Sequence, residues 1–236
     1  MKTPLRQIVA MGGGVLPADG SDPALERYIL GLTRKSNPSV CLLATATGDA
    51  ERVIVRFYST FARFRCRPSH VPLFARTPDL AEVLLSQDVI FAGGGNTKSM
   101  LAVWSDWNLP AILRRAWRSG IVLAGASAGA ICWFDTGVTD SWADRLRTMP
   151  CLGLLPGPCC PHYDSEPDRR PSVQRMVARG QLRNVLALDD GVGAHFVGRR
   201  LVRTISARPH AQAYRVGLRR GTVVDRPLEV TRLRKR

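Results

Sequence analysis

Gly125-Ala126-Ser127-Ala128-Gly129 places a serine between residues with almost no side chain, directly after the apolar run Ile121-Val122-Leu123-Ala124. Small neighbours allow a sharp strand-to-helix turn that lifts the hydroxyl out of a sheet. Ala128 would then open a helix, whose unpaired N–H groups can hold a developing oxyanion. The chemistry this spacing points to is nucleophilic attack on an acyl carbon. A serine hydroxyl needs a base to take its proton, and the base needs an acid to orient it. The chain has four histidines. His70 beside a predicted strand, His195 in an apolar strand and His210 in a turn read as packing or surface residues. His162 stands in the polar run Pro161-His162-Tyr163-Asp164-Ser165-Glu166 and follows the serine in chain order, as the base does after such a turn. Asp135, Asp140 and Asp144 lie between the two, with Asp140 in Thr139-Asp140-Ser141 the first choice of acid. Glu166 and Asp164, close to His162, are the alternatives. Gly93-Gly94-Gly95 has no side chains to keep its N–H groups from a substrate carbonyl.

The elements that must position these residues alternate. Short apolar strands are expected at Gln7–Met11, Ser39–Thr45, Asp88–Ala92 and Ile121–Ala124, with a further one near Arg67–Leu73. Helices are expected over Pro23–Ser36, Asp49–Arg63, Pro78–Ser86, Lys98–Trp104 and Pro110–Arg118. That order predicts an α/β fold: a mostly parallel sheet with helices on both faces, and ligands at the carboxyl ends of its strands. Gly93–Thr97 and Gly125–Gly129 both fall at such ends, so they should face one cleft. Thr136–Asp168, rich in Pro, Gly, Cys and Asp, reads as mostly loop. Short strands at 184–188, 193–197, 200–206, 212–216 and 222–224 read as an antiparallel C-terminal extension of the parallel core.

Length and composition set the outer limits. A chain of 236 residues with 45% hydrophobic and 22% charged residues suits one well-cored domain, with a basic tail over about 227–236. No apolar run approaches the roughly 20 residues of a membrane helix, and no secretory signal opens the chain, so cytoplasm is the expected compartment. The net charge of +15 is spread along the chain as arginine, with no zinc-finger or RNA-binding signature, which argues against a nucleic-acid partner. The six cysteines form no C-x-x-C pair and read as free thiols, so no metal is expected. Gly12-Gly13-Gly14 after the first strand lacks the third glycine of a dinucleotide fingerprint, because Pro17 stands in its place. No P-loop ending follows Gly93–Gly95 either, so no cofactor is expected.

Together, Gly93-Gly94-Gly95-Asn96-Thr97, Gly125-Ala126-Ser127-Ala128-Gly129-Ala130 and Pro161-His162-Tyr163 resemble the peptidase E (aspartyl dipeptidase) family. The resemblance extends to Met11–Gly14 and the terminal strands. It implies a class I glutamine amidotransferase-like fold and a metal-independent serine exopeptidase acting on small peptides. Ser127 would be the nucleophile, His162 the base, and Gly94, Gly95 and Ala128 the oxyanion hole. The acid would be Asp140 or Glu166. Asn96 and Thr97 would lie against substrate, and Arg169 or Arg170 would hold the β-carboxylate of an N-terminal aspartate. Monomer and homodimer are both compatible with this. Two other readings remain: another serine hydrolase or acyltransferase on the same elbow, and a non-catalytic small-molecule-binding module.

Overall fold

The computed structural model describes residues 4–17 and 21–234. Its first strand, β1 (Gln7–Met11), is wholly buried and shows why the sheet is two-sided. Val9 and Met11 pack with Leu25, Ile29, Phe57 and Phe61, while Ile8 and Ala10 pack on the opposite face with Met100, Trp104, Leu113 and Trp133. The period of two along a strand thus feeds two separate cores. α1 (Ala24–Leu32) and α2 (Glu51–Phe61) supply the first core. α3 (Leu80–Leu85), α4 (Thr97–Asp106) and α5 (Leu109–Arg118) supply the second.

β2 (Ser39–Leu43), β3 (Arg67–His70), β4 (Val89–Ala92) and β5 (Val122–Ala126) run parallel with β1. β2, β4 and β5 were expected from their apolar runs and β3 as a short strand near Arg67–Leu73, and the helices between them lie where periodicity places them. α6 (Ala128–Ile131) follows β5 and leads into the second half of the chain.

That half differs from expectation in two ways. The segment read as mostly loop forms β6 (Phe134–Thr139), β7 (Arg147–Pro150) and β8 (Leu155–Cys160). Proline and glycine in Leu155-Pro156-Gly157-Pro158-Cys159-Cys160 suppress the local strand signal, but Cys159 and Cys160 pair in register with Leu186 and Ala187. Tertiary pairing overrides local preference here. The five terminal strands exist, but they do not form one extension. β9 (Val185–Leu188), β12 (Ala213–Arg219) and β13 (Thr222–Pro227) join β6–β8 in a six-stranded sheet, on which α7 (Arg169–Ala178) packs through Val173 and Val177. Of these strands, β10 (Val192–Val197) and β11 (Arg200–Ser206) extend the first sheet, β10 antiparallel to β1 and β11 antiparallel to β10. The segment read as a basic tail adds β14 (Thr231–Arg232), parallel to β11, which makes that sheet eight-stranded. No helix among the described residues is long and apolar enough to cross a membrane.

His195 in β10 is buried, as its apolar strand implies; its Nδ1 lies 2.8 Å from the Tyr28 hydroxyl and its Nε2 has no partner. Burial, with Arg203 nearby, pulls its pKa down to about 4. The unfolded chain therefore takes up this proton near pH 6.5, before the folded chain does, so acidification through pH 6.5 to 4 favours unfolding. Wild type should lose thermal stability across that window more steeply than His195→Phe. Equal slopes in a pH series of melting curves would contradict this account.

Candidate active site

Ser127 leaves β5 with φ 57° and ψ −117°, a conformation that costs a non-glycine residue of order 1–3 kcal/mol. The backbone around it explains how such a turn survives. A β-carbon on Gly125 would collide with the Gly129 carbonyl, and one on Gly129 with the Ala92 carbonyl. Two glycines therefore let the serine turn close directly onto β4. The Ser127 amide is tied to the β1 end by a 3.1 Å bond to the Met11 carbonyl, and the serine carbonyl accepts from Ala130 and Ile131 as α6 begins. Gly94, at the end of β4, lies against the serine: a β-carbon there would sit 3.1 Å from Ser127 Cβ and 3.6 Å from Oγ.

His162 approaches the same strand end. Its amide donates to the Gly12 carbonyl at 3.2 Å, one residue beyond the bond that holds Ser127. Its Nδ1 lies 2.7 Å from Asp190 Oδ1. The carboxylate can only accept, so Nδ1 carries the proton and Nε2 is left able to accept one. Asp190 itself is held by its backbone: its amide donates to Asp164 Oδ1 at 2.8 Å, and Gly191 N donates to the Gly13 carbonyl at 2.8 Å. Burial pushes the Asp190 carboxyl up, but hydrogen bonds from His162 and Ser165 and the charges of His162 and Arg208 outweigh it and hold the pKa below the usual aspartate value.

Neither carboxylate proposed from sequence occupies this position. Asp140 Oδ2 pairs with Arg169 Nη2 at 3.2 Å, and Glu166 Oε2 with Arg169 Nε at 2.6 Å. The other Glu166 oxygen lies 4.0 Å from His162 Nε2, on the side away from Asp190. Asp164, weighed as a local partner of His162, instead positions the Asp190 amide. Local sequence does not mark Asp190 as an orienting acid, because Asp190-Gly191 has the composition of an ordinary turn. In the fold that turn carries the chain from the six-stranded sheet into the eight-stranded one, beside the end of β1. The usable signal was an acidic residue at a strand end, after the histidine in sequence.

The glycine run after β1, set aside as a failed nucleotide motif, is the floor under this pair. A β-carbon on Gly12 would strike the Asp189 carbonyl, and one on Gly13 would strike both Asp190 Oδ1 and the His162 ring. Gly13→Ala is expected to lower turnover by at least about 100-fold by displacing His162, the scale on which small misplacements of catalytic groups act. Retained activity in a folded Gly13→Ala would show that the pair tolerates the shift.

Other residues singled out from sequence have structural partners. Gly95 packs against the Ala46 carbonyl, which also accepts from the Asn96 amide at 2.8 Å. Asn96 caps α4 through Ser99 N at 2.9 Å, and its Nδ2 lies 3.3 Å from the Ser141 carbonyl. Thr97 is buried, 3.3 Å from the Thr139 hydroxyl. Ala128 opens α6, where its N–H has no partner within the helix. Arg169 is buried, its Nη1 donating to the Val138 carbonyl at 3.1 Å. Arg170 pairs with Asp225 at 2.7 Å and lies over the rings of Tyr163 and Tyr214. The described residues contain no cluster of three or more His, Cys, Asp or Glu able to hold a metal ion. A surface concavity of about 880 Å³ is lined by Pro156, Arg183, Arg215 and Arg226 and includes none of the residues at the β1 end.

Comparison with known proteins shows the family. The model of peptidase family S51 matches residues 8–204. The chain is 44% identical over 227 residues to the uncharacterized peptidase YgaJ of Bacillus subtilis (strain 168), covering 96% of this chain and 98% of that one. The fold is similar to the crystal structure of a peptidase from an acI-B1 Actinobacterium, with a TM-score of 0.71 and 16% identity over 97% of this chain and 96% of that chain. It is also similar to a putative peptidase E protein from Listeria monocytogenes EGD-e, with a TM-score of 0.64 and 14% identity over 86% of this chain and the whole of that one. With the match to the family model spanning most of the sequence, the chain belongs to peptidase family S51, the peptidase E family of serine-type peptidases.

Proposed function

We propose that the protein is an exopeptidase that cleaves small peptides through Ser127, His162 and Asp190. The observation that carries this reading is the convergence of the strained serine and the Asp190-oriented histidine on two successive carbonyls of one strand end, Met11 and Gly12. Ser127 Oγ attacks the scissile carbonyl carbon while His162 Nε2 takes the hydroxyl proton. Asp190 stabilises the imidazolium through Nδ1–H. The resulting oxyanion is held by N–H groups of Ala128 and of the Gly94 turn, with Gly95 keeping that turn packed on the neighbouring loop. The intermediate collapses as Nε2–H delivers its proton to the leaving amine, giving an acyl-Ser127 ester. Water, deprotonated by the same nitrogen, then attacks the ester and releases the acid. No step requires a metal or a cofactor. Asn96 and Thr97 support the site by joining α4 to the Thr139–Ser141 segment.

The test is release of free amino acid from a panel of dipeptides and tripeptides, with N-acetylated peptides and simple esters as controls. Turnover of free-amine peptides supports the reading. Hydrolysis confined to esters would favour a different hydrolase, and no turnover with no labelling of Ser127 by a serine-directed phosphonate would favour a binding module.

A further inference from the structure

Asp190 can serve His162 only while its backbone keeps the carboxylate turned toward Nδ1, and residue 190 lies outside both β9 and β10, where no strand ladder fixes it. Arg208 supplies that restraint. Its Nη1 lies 3.1 Å from the Asp190 carbonyl and 3.1 Å from Asp164 Oδ2. The other Asp164 oxygen accepts the Asp190 amide at 2.8 Å. The two peptide groups that flank the Asp190 side chain are therefore held in one closed ring, one directly by Arg208 and one through Asp164.

The stem of Arg208 crosses the turn at Gly191, where φ is 75° and a β-carbon would sit 2.7 Å from Arg208 Cδ. Glycine is required there on both counts. Arg208 is also anchored at its own backbone. The Ser206 hydroxyl accepts from the Arg208 amide at 3.1 Å and donates to the Arg208 carbonyl at 2.7 Å, while the Ala207 amide donates to the Gly191 carbonyl at 2.9 Å. Stability does not explain the arrangement: Arg208 is 49% and Asp164 29% exposed, and ion pairs this exposed contribute little to it. What the ring restricts is direction. Rotation of either peptide group would swing the carboxylate off His162 Nδ1, now 2.7 Å away.

We infer that Arg208 is a positioning residue for the reaction: through Asp164 and the Asp190 carbonyl it aims the Asp190 carboxylate at His162. This rests on the Ser127, His162 and Asp190 reading above. Both contacts come from one nitrogen, so a lysine ammonium, with three donors on one atom, can replace it. A glutamine side chain is too short to reach.

The experiment measures kcat, KM and a melting curve for wild type, Arg208→Gln, Arg208→Lys, Asp190→Asn and Arg208→Gln/Asp190→Asn. Expected for Arg208→Gln is a kcat lowered at least about tenfold with KM and melting temperature nearly unchanged, and for Arg208→Lys a kcat within about threefold of wild type. In the Asp190→Asn background Arg208→Gln should have no further effect, because the carboxylate it aims is gone. Asp164→Ala opens the same ring from its other side and should lower kcat likewise, even if Arg208→Gln fails to fold. The His162 Nδ1 proton, a downfield NMR signal identified by its loss in Asp190→Asn, reads the geometry even if no peptide is turned over, and should shift or broaden in Arg208→Gln. Equal losses of kcat from Arg208→Gln in both backgrounds, or wild-type kcat with an unmoved proton signal, overturn the inference and leave the reading it rests on intact. Wild-type kcat in Asp190→Asn removes that reading and the inference with it.

Discussion

Replacing Ser127 by alanine is expected to lower peptide turnover by about 10⁴-fold or more, with little change in thermal stability. The magnitude follows from the proposed mechanism, in which loss of Oγ leaves no atom to form the acyl-enzyme and only binding and oxyanion contacts to accelerate the reaction. Stability should hold because alanine, like serine, has a β-carbon and bears the same strain at φ 57°. Ser127→Gly separates the two effects, since glycine relaxes that conformation and should raise the melting temperature while also abolishing turnover. Paired initial rates and melting curves check both statements. Activity of Ser127→Ala within a hundredfold of wild type would place the nucleophile elsewhere.

The second large effect belongs to Asp190. Asp190→Asn is expected to reduce kcat by about 10³–10⁴-fold, because an amide can present N–H to Nδ1 and leave His162 in the wrong tautomer. Asp140→Asn, which only weakens one contact to Arg169, should cost less than tenfold on a substrate that binds well. Comparing the two variants at saturating peptide decides which carboxylate serves the histidine. The reverse ranking would return the role to Asp140. The lowered pKa of Asp190 also has a sign. Its contribution to stability is present above the ordinary aspartate value near 4 and is lost only as pH falls through its lower folded value. Asp190 therefore stays ionised, and stays an acceptor for Nδ1–H, well into acid.

How much of this could be read from sequence depended on the range of each contact. Ser127 was legible because its constraint is local: the small residues that permit the turn are its immediate neighbours. The Gly94 approach was legible for the same reason, as a glycine at a strand end facing another. His162 was legible from chain order and polar context. Asp190 was not, because its contact to His162 spans 28 residues and exists only once β8 and β9 pair side by side. The burial of Arg169 was not legible either, because the two carboxylates that pair with it come from separate segments. Gly13 was discarded for failing a nucleotide pattern, when the space it leaves is taken by the His162 ring and the Asp190 carboxylate.

Taken alone, the residues of this chain determined the alternation of buried strands and helices, the two-faced sheet, the serine elbow and the histidine, because each is written in spacing of two to four residues or in a short run of glycines. Tertiary structure decided the rest: which acid lies against the histidine, that β6–β9 and β12–β13 form their own sheet, and that Arg169 holds Glu166 near His162. Those outcomes depend on strand pairing and on burial of charge between segments far apart in sequence. No local pattern carries that information, since the partner that satisfies a buried charge or completes a ladder is known only once the chain has folded.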